Sequence, residues 1–78
     1  MNEDYVFEIL GKNMHDIRFK KNISLQELAK KTKISIVKLR KFEAGEYSGL
    51  GIPDYIKIAN SLNVCYEEIT KGIQFTEK

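Results

Sequence analysis

A single cysteine, a single proline, a single histidine and no tryptophan leave this chain of 78 residues with few of the usual means of stiffening a small protein. An internal disulfide is excluded, because Cys65 has no second cysteine to pair with, and one thiol fits a reducing compartment. His15 and Cys65 are the only soft ligands, too few for a structural zinc site. No apolar run approaches the roughly 18 residues of a membrane span. The acidic start, Met1-Asn2-Glu3-Asp4, lacks the positive region of a secretory signal. The expectation is a cytoplasmic protein that stays where it is made and makes no membrane contact. One proline and five glycines are also too few for a disordered linker or a many-turned β fold. A chain this short buries only about 60% of the surface its unfolded form exposes. Helix packing is what remains to hold it together, helped by dimerisation.

The net charge of +2 is small, but its distribution is uneven. Lys12, Arg18, Lys20, Lys21, Lys30, Lys31, Lys33, Lys38, Arg40 and Lys41 are opposed within their stretch only by Asp16 and Glu27. The segments on either side are net acidic, with Glu3, Asp4 and Glu8 before and Glu43, Glu46, Asp54, Glu67, Glu68 and Glu77 after. A basic centre between acidic ends suits a polyanion-binding face with an opposite face free to meet protein. Charge alone fits a solvated lysine-rich helix surface equally well.

Apolar residues recur at helical spacing, without repeats or low-complexity segments. Val6, Leu10, Met14 and Ile17 predict a first helix over about 5–21, stopped near Asn22. Ser24 followed by Glu27 is a capping-box pattern opening a short second helix, with Leu25, Leu28 and Ala29 inward and Lys30-Lys31 at its carbonyl end. Thr32-Lys33-Ile34 makes a tight connection. Ser35 caps a third helix, with Leu39 and Phe42 inward and Gly45 as its stop. A loop over 46–52 leads to Pro53, expected at the first position of a fourth helix with Ile56, Ala59 and Leu62 as its inner stripe and Ile58 beside it. A fifth helix is expected over about 66–71 with Ile69 inward. The result is an all-α, compact five-helix domain occupying 1–78, its core about 5–71 and its tail 72–78.

The ordered set Arg18, Ser24-x-x-Glu27-Leu28-Ala29, Ile34-Ser35, Leu39, Phe42-Glu43-x-Gly45 and Ile58-Ala59-x-x-Leu62-Asn63-Val64 resembles the lambda-repressor and Cro type of helix-turn-helix domain, often called the XRE family. The resemblance covers Leu10 to Lys71. It implies a lambda-repressor-like fold in which helices 2 and 3 form the helix-turn-helix and helix 3 enters the DNA major groove. It further implies that Arg18 and Glu43 form an ion pair between helices 1 and 3. Four features depart from the pattern: Lys33 stands where the turn often has glycine, and Leu25 where a phosphate-touching glutamine is common. The loop between Glu43 and Ala59 is one residue longer, and Glu46 stands where a basic residue is frequent.

On that resemblance, Ile36, Val37, Lys38, Arg40 and Lys41 would read base edges, lysine donating to guanine and apolar side chains packing on thymine methyls. Ser24, Lys30, Lys33 and Ser35, with Tyr47, Ser48 and Gly49, would hold phosphates and set register. Ile69, Ile73 and Phe75 would form a two-fold contact, giving a homodimer on double-stranded DNA. The function implied is transcriptional regulation, most readily repression, by sequence-specific DNA binding. The alternative is a protein-interaction module, such as an antitoxin or adaptor, in which Ile36 and Val37 form an apolar patch for a protein partner. Nothing points to an enzyme, a cofactor or a metal. His15 has no nucleophile or carboxylate arranged around it by spacing, and Glu67-Glu68 suits the positive first turn of a helix.

Overall fold

The computed structural model describes residues 3–73. The apolar spacing of Val6, Leu10, Met14 and Ile17 gives the long first helix, α1 (Glu3–Lys20), with Leu10 and Met14 fully inward. It is followed by α2 (Leu25–Thr32), α3 (Ile36–Glu43), α4 (Ile52–Ser61) and α5 (Tyr66–Thr70), with no strand among the described residues. This is the all-α, five-helix architecture expected from the sequence. Among the described residues no helix is long and apolar enough to cross a membrane.

Leu10, Met14, Leu28, Ile34, Leu39, Phe42, Ile58, Ala59, Leu62 and Ile69 form one core to which every helix contributes. Helix α1 packs on α3 and α5, α2 on α3 and α4, and α4 on α5. An aromatic pair joins α4 to α3, since Tyr55 stacks on Phe42 with ring centroids 5.4 Å apart. Burial pushes the Tyr55 phenol pKa upward, so it stays neutral there. Asn13 of α1 ties down the end of α5, its amide donating to the carbonyls of Ile69 at 2.8 Å and Lys71 at 2.7 Å. Helix α5 has only five residues, too short to stand without such outside support.

Two expectations are corrected by α4. It starts at Ile52, with Gly51 as its N-cap and Pro53 in its second position, and the Asp54 carboxylate accepts the Gly51 amide at 3.1 Å. Its inner stripe is Ile58, Ala59 and Leu62, all essentially buried, while Ile56 is 44% exposed. Ile52 and Ile56 lie one turn apart and share an outer flank of the helix.

The connection between α2 and α3 determines how α3 is presented. Ser24 caps α2 by accepting the Glu27 amide at 3.0 Å, which is half of the expected capping box. Lys33 then takes up the left-handed conformation at φ 63° and donates its amide to Ala29 at 2.8 Å. The buried Thr32 hydroxyl donates to the Leu28 carbonyl and accepts the Ile34 amide. Ile34 is buried beneath the turn. The conformation normally given to glycine is therefore held at Lys33 by the groups on either side of it, while the Lys33 side chain stays exposed.

Candidate nucleic-acid interface

Ser35 starts α3, its hydroxyl oxygen accepting the Val37 amide at 3.2 Å. With Leu39 and Phe42 buried on one side, the opposite side of α3 presents Val37, Lys38, Arg40 and Lys41, all exposed. Val37 is 54% exposed, an apolar side chain in water among cations. Ile36 is only half-buried at the start of the helix, so it reaches this face partially. Val37, Arg40, Lys41 and Ala44 fall one helical turn apart in sequence and, with Glu46, line a shallow hollow of about 260 Å³. Ala44 and Glu46 were not among the base-reading residues expected from the sequence. Helical spacing continued past Lys41 would have found Ala44, whereas Glu46 lies beyond the end of the helix.

Most of the expected phosphate-holding residues are exposed. Ser24, Lys30, Lys33 and Ser35 are exposed on α2 and the turn. In the loop after α3, Tyr47 is exposed and its ring lies 5.9 Å from that of Phe7, which ties the loop to α1. Ser48 is half-buried. Gly49, at φ +79°, is exposed and has nothing within 4 Å of the place where a Cβ would stand.

Helix α3 is held at its angle by a fork of hydrogen bonds from α1. Arg18 Nε donates to Glu43 Oε2 at 2.5 Å, Nη2 to Glu43 Oε1 at 3.0 Å, and Nη1 to the Ile23 carbonyl at 2.9 Å. Both side chains are largely out of water, at 16% and 13% exposure. The planar guanidinium matches the carboxylate with two parallel bonds, which fixes orientation as well as distance. His15 Nδ1 lies 3.4 Å from the same carboxylate, and its ring stacks on Phe19. Further along α1, the hydrogen bond from Lys12 lowers the pKa of the exposed Asp16.

The residues expected to form a two-fold contact are separated by the fold. Ile69 is fully buried in the core, where it satisfies the inward-facing role of α5 and cannot also meet a second copy. Ile73 is half-buried against that core, and Phe75 lies outside the described residues. Cys65 is exposed and precedes α5 without a side-chain capping bond. Phe19 on α1 and Ile52 and Ile56 on α4 are large apolar side chains left exposed.

A family model described as a helix-turn-helix domain matches residues 14–60, more than half of the chain and the whole of α2, the turn and α3. The chain belongs to this helix-turn-helix family. Its fold is similar to that in the crystal structure of a hypothetical transcription factor, NHTF, from Neisseria, with a TM-score of 0.78 and 21% identity. That similarity covers 90% of this chain and 79% of the other. No curated protein sequence matches the chain.

Proposed function

We propose that this protein binds duplex DNA sequence-specifically as a homodimer in the cytoplasm and regulates transcription, acting as a repressor by occupying its operator. The observation that carries this reading is the outward face of α3, where Val37 stands exposed between Lys38, Arg40 and Lys41. Such a face joins an apolar contact for a thymine methyl to donors for base edges and phosphates. The resemblance of the fold to a protein titled a transcription factor supports it. Ile36 assists at the start of the helix, while Ser24, Lys30, Lys33, Ser35 and the backbone of 47–49 grip phosphates. One chain offers one recognition helix, enough for half of a palindromic site; two copies would place theirs about 34 Å apart along one side of the duplex. Ile73 and Phe75, near the end of the sequence, are the residues we assign to that contact. No catalytic step is required.

A second reading, binding of a protein partner, is favoured by the exposed Phe19, Ile52 and Ile56. Substitutions on α3 and in the turn before it separate the two. Val37→Gln should change the preferred base at one position per half-site, with a discrimination of about 1–3 kcal/mol. Lys33→Gln should instead weaken all sequences alike and make the plot of log affinity against log salt shallower by about one unit per chain. If Val37→Gln leaves the base preference identical to wild type, the recognition face is wrongly assigned. Loss of a protein partner on Phe19→Ser or Ile56→Ser, with DNA affinity unchanged, would establish the second reading.

A further inference from the structure

Three helices of this protein close in the same way. After α1, α3 and α4, one residue at positive φ, Asn22, Gly45 or Asn63, turns the chain back. The next amide then reaches the carbonyl five positions earlier. Ile23 donates to Arg18, Glu46 to Lys41 and Val64 to Ala59, each at 3.0 Å. This closure commonly seats an apolar side chain against the last turn of the helix. Ile23 and Val64 conform, packing half-buried against the core. Glu46 does not: the same backbone bond delivers an exposed carboxylate beside Lys41. There it borders the hollow shared by Val37, Arg40, Lys41 and Ala44. Its side chain makes no hydrogen bond or ion pair with another described residue.

A carboxylate on a DNA-facing surface has narrow chemistry. It only accepts hydrogen bonds. In the major groove guanine O6 and N7 and thymine O4 also only accept, while the cytosine N4 amine donates with no acceptor beside it on that base. Adenine offers an N6 amine but pairs it with the N7 acceptor, which repels a carboxylate and suits an amide. Arg40 and Lys41, lining the same hollow, offset part of the repulsion between Glu46 and the phosphates. Ala44, with no side chain beyond Cβ, leaves space for a base edge to approach.

We infer that Glu46 is a specificity-determining residue that accepts the cytosine N4 amine at one position of each half-site and rejects guanine and thymine there. This rests on the DNA-reading function proposed above. The test compares bases selected from a random duplex pool by wild type, Glu46→Ala and Glu46→Gln. Wild type should prefer cytosine at one position by about tenfold, the size of one good base contact. Glu46→Ala should reduce that preference to within about twofold, leave other positions unchanged, and bind random duplex several-fold more tightly as a repulsive charge is removed. Glu46→Gln should move the preference to adenine. Thermal melts of the variants check that the exposed substitutions leave the fold intact. Tighter binding with an unchanged base profile would make Glu46 a repulsive charge only and overturn the inference alone. If wild type selects no sequence, the DNA-reading function falls as well.

Discussion

Gly11→Ala is expected to destabilise the protein by about 3 kcal/mol, reversing the usual sign of this substitution in a helix. An alanine in a helix interior ordinarily stabilises by roughly 0.5–1 kcal/mol over glycine. Gly11 is buried in α1 where that helix crosses α3. A Cβ there would stand 2.2 Å from the Phe42 carbonyl oxygen and 3.0 Å from that of Glu43. Both are backbone atoms, so the clash cannot be relieved by a rotamer change and the two helices must separate. Overpacking of this kind costs about 1–3 kcal/mol and occasionally more. A domain of this size has on the order of 4–12 kcal/mol to lose, so the effect is a large share of the total. The thermal midpoint should fall by on the order of 15 °C. Gly49→Ala is the control, because it meets a positive φ but no neighbouring atom, and should cost about 1 kcal/mol from backbone strain alone. A stabilised Gly11→Ala protein would mean that α1 and α3 do not cross there.

Arg18→Met should cost about 1–4 kcal/mol, the larger part of it from the Glu43 carboxylate left behind. Only 13% of the Glu43 side chain is exposed, and without Arg18 its remaining side-chain partner is His15 at 3.4 Å. Arg18 also closes the end of α1 through the Ile23 carbonyl, so part of the loss is local to that turn. The double substitution with Glu43→Leu should recover much of the single-mutant loss, since two apolar side chains can replace a well-buried pair. Urea unfolding of the two single variants and the double variant closes the cycle. Strictly additive effects would show that the pair contributes no coupling. Because Glu43 belongs to α3, a weaker Arg18→Met fold should also present the reading face less firmly.

Much of the architecture was legible because helical spacing and end signals are local. Ser24, Ser35, Gly45 and Asn63 mark helix ends through interactions with residues a few positions away. The register of α4 was less legible. Ile52, Ile56 and Ile58 are all isoleucines, so hydropathy alone cannot say which faces inward; the choice is made by Tyr55 stacking on Phe42 and by Ala59 and Leu62 closing the core. Helix α5 is too short for its apolar pattern to separate a core residue from a surface contact, which is why Ile69 was expected in both roles. The parts that escaped the sequence are those made across the fold. Asn13 caps carbonyls 56 and 58 positions away, and the need for glycine at position 11 exists only because another backbone arrives there. In the candidate interface, the family resemblance gave α3's outer face as far as Lys41 and no further. Ala44 continues that face at helical spacing, whereas Glu46 joins it only because the chain folds back at Gly45.

Whether this helix-turn-helix domain reads duplex DNA with α3 is tested most directly by selecting a random duplex pool with the wild-type protein. The expected result is an enriched two-fold symmetric site with half-sites about 34 Å apart. Affinity for that site should exceed affinity for random duplex by about 10³-fold or more, with both falling steeply as salt rises. A pool that emerges unenriched, with affinity insensitive to salt, would contradict DNA reading by α3.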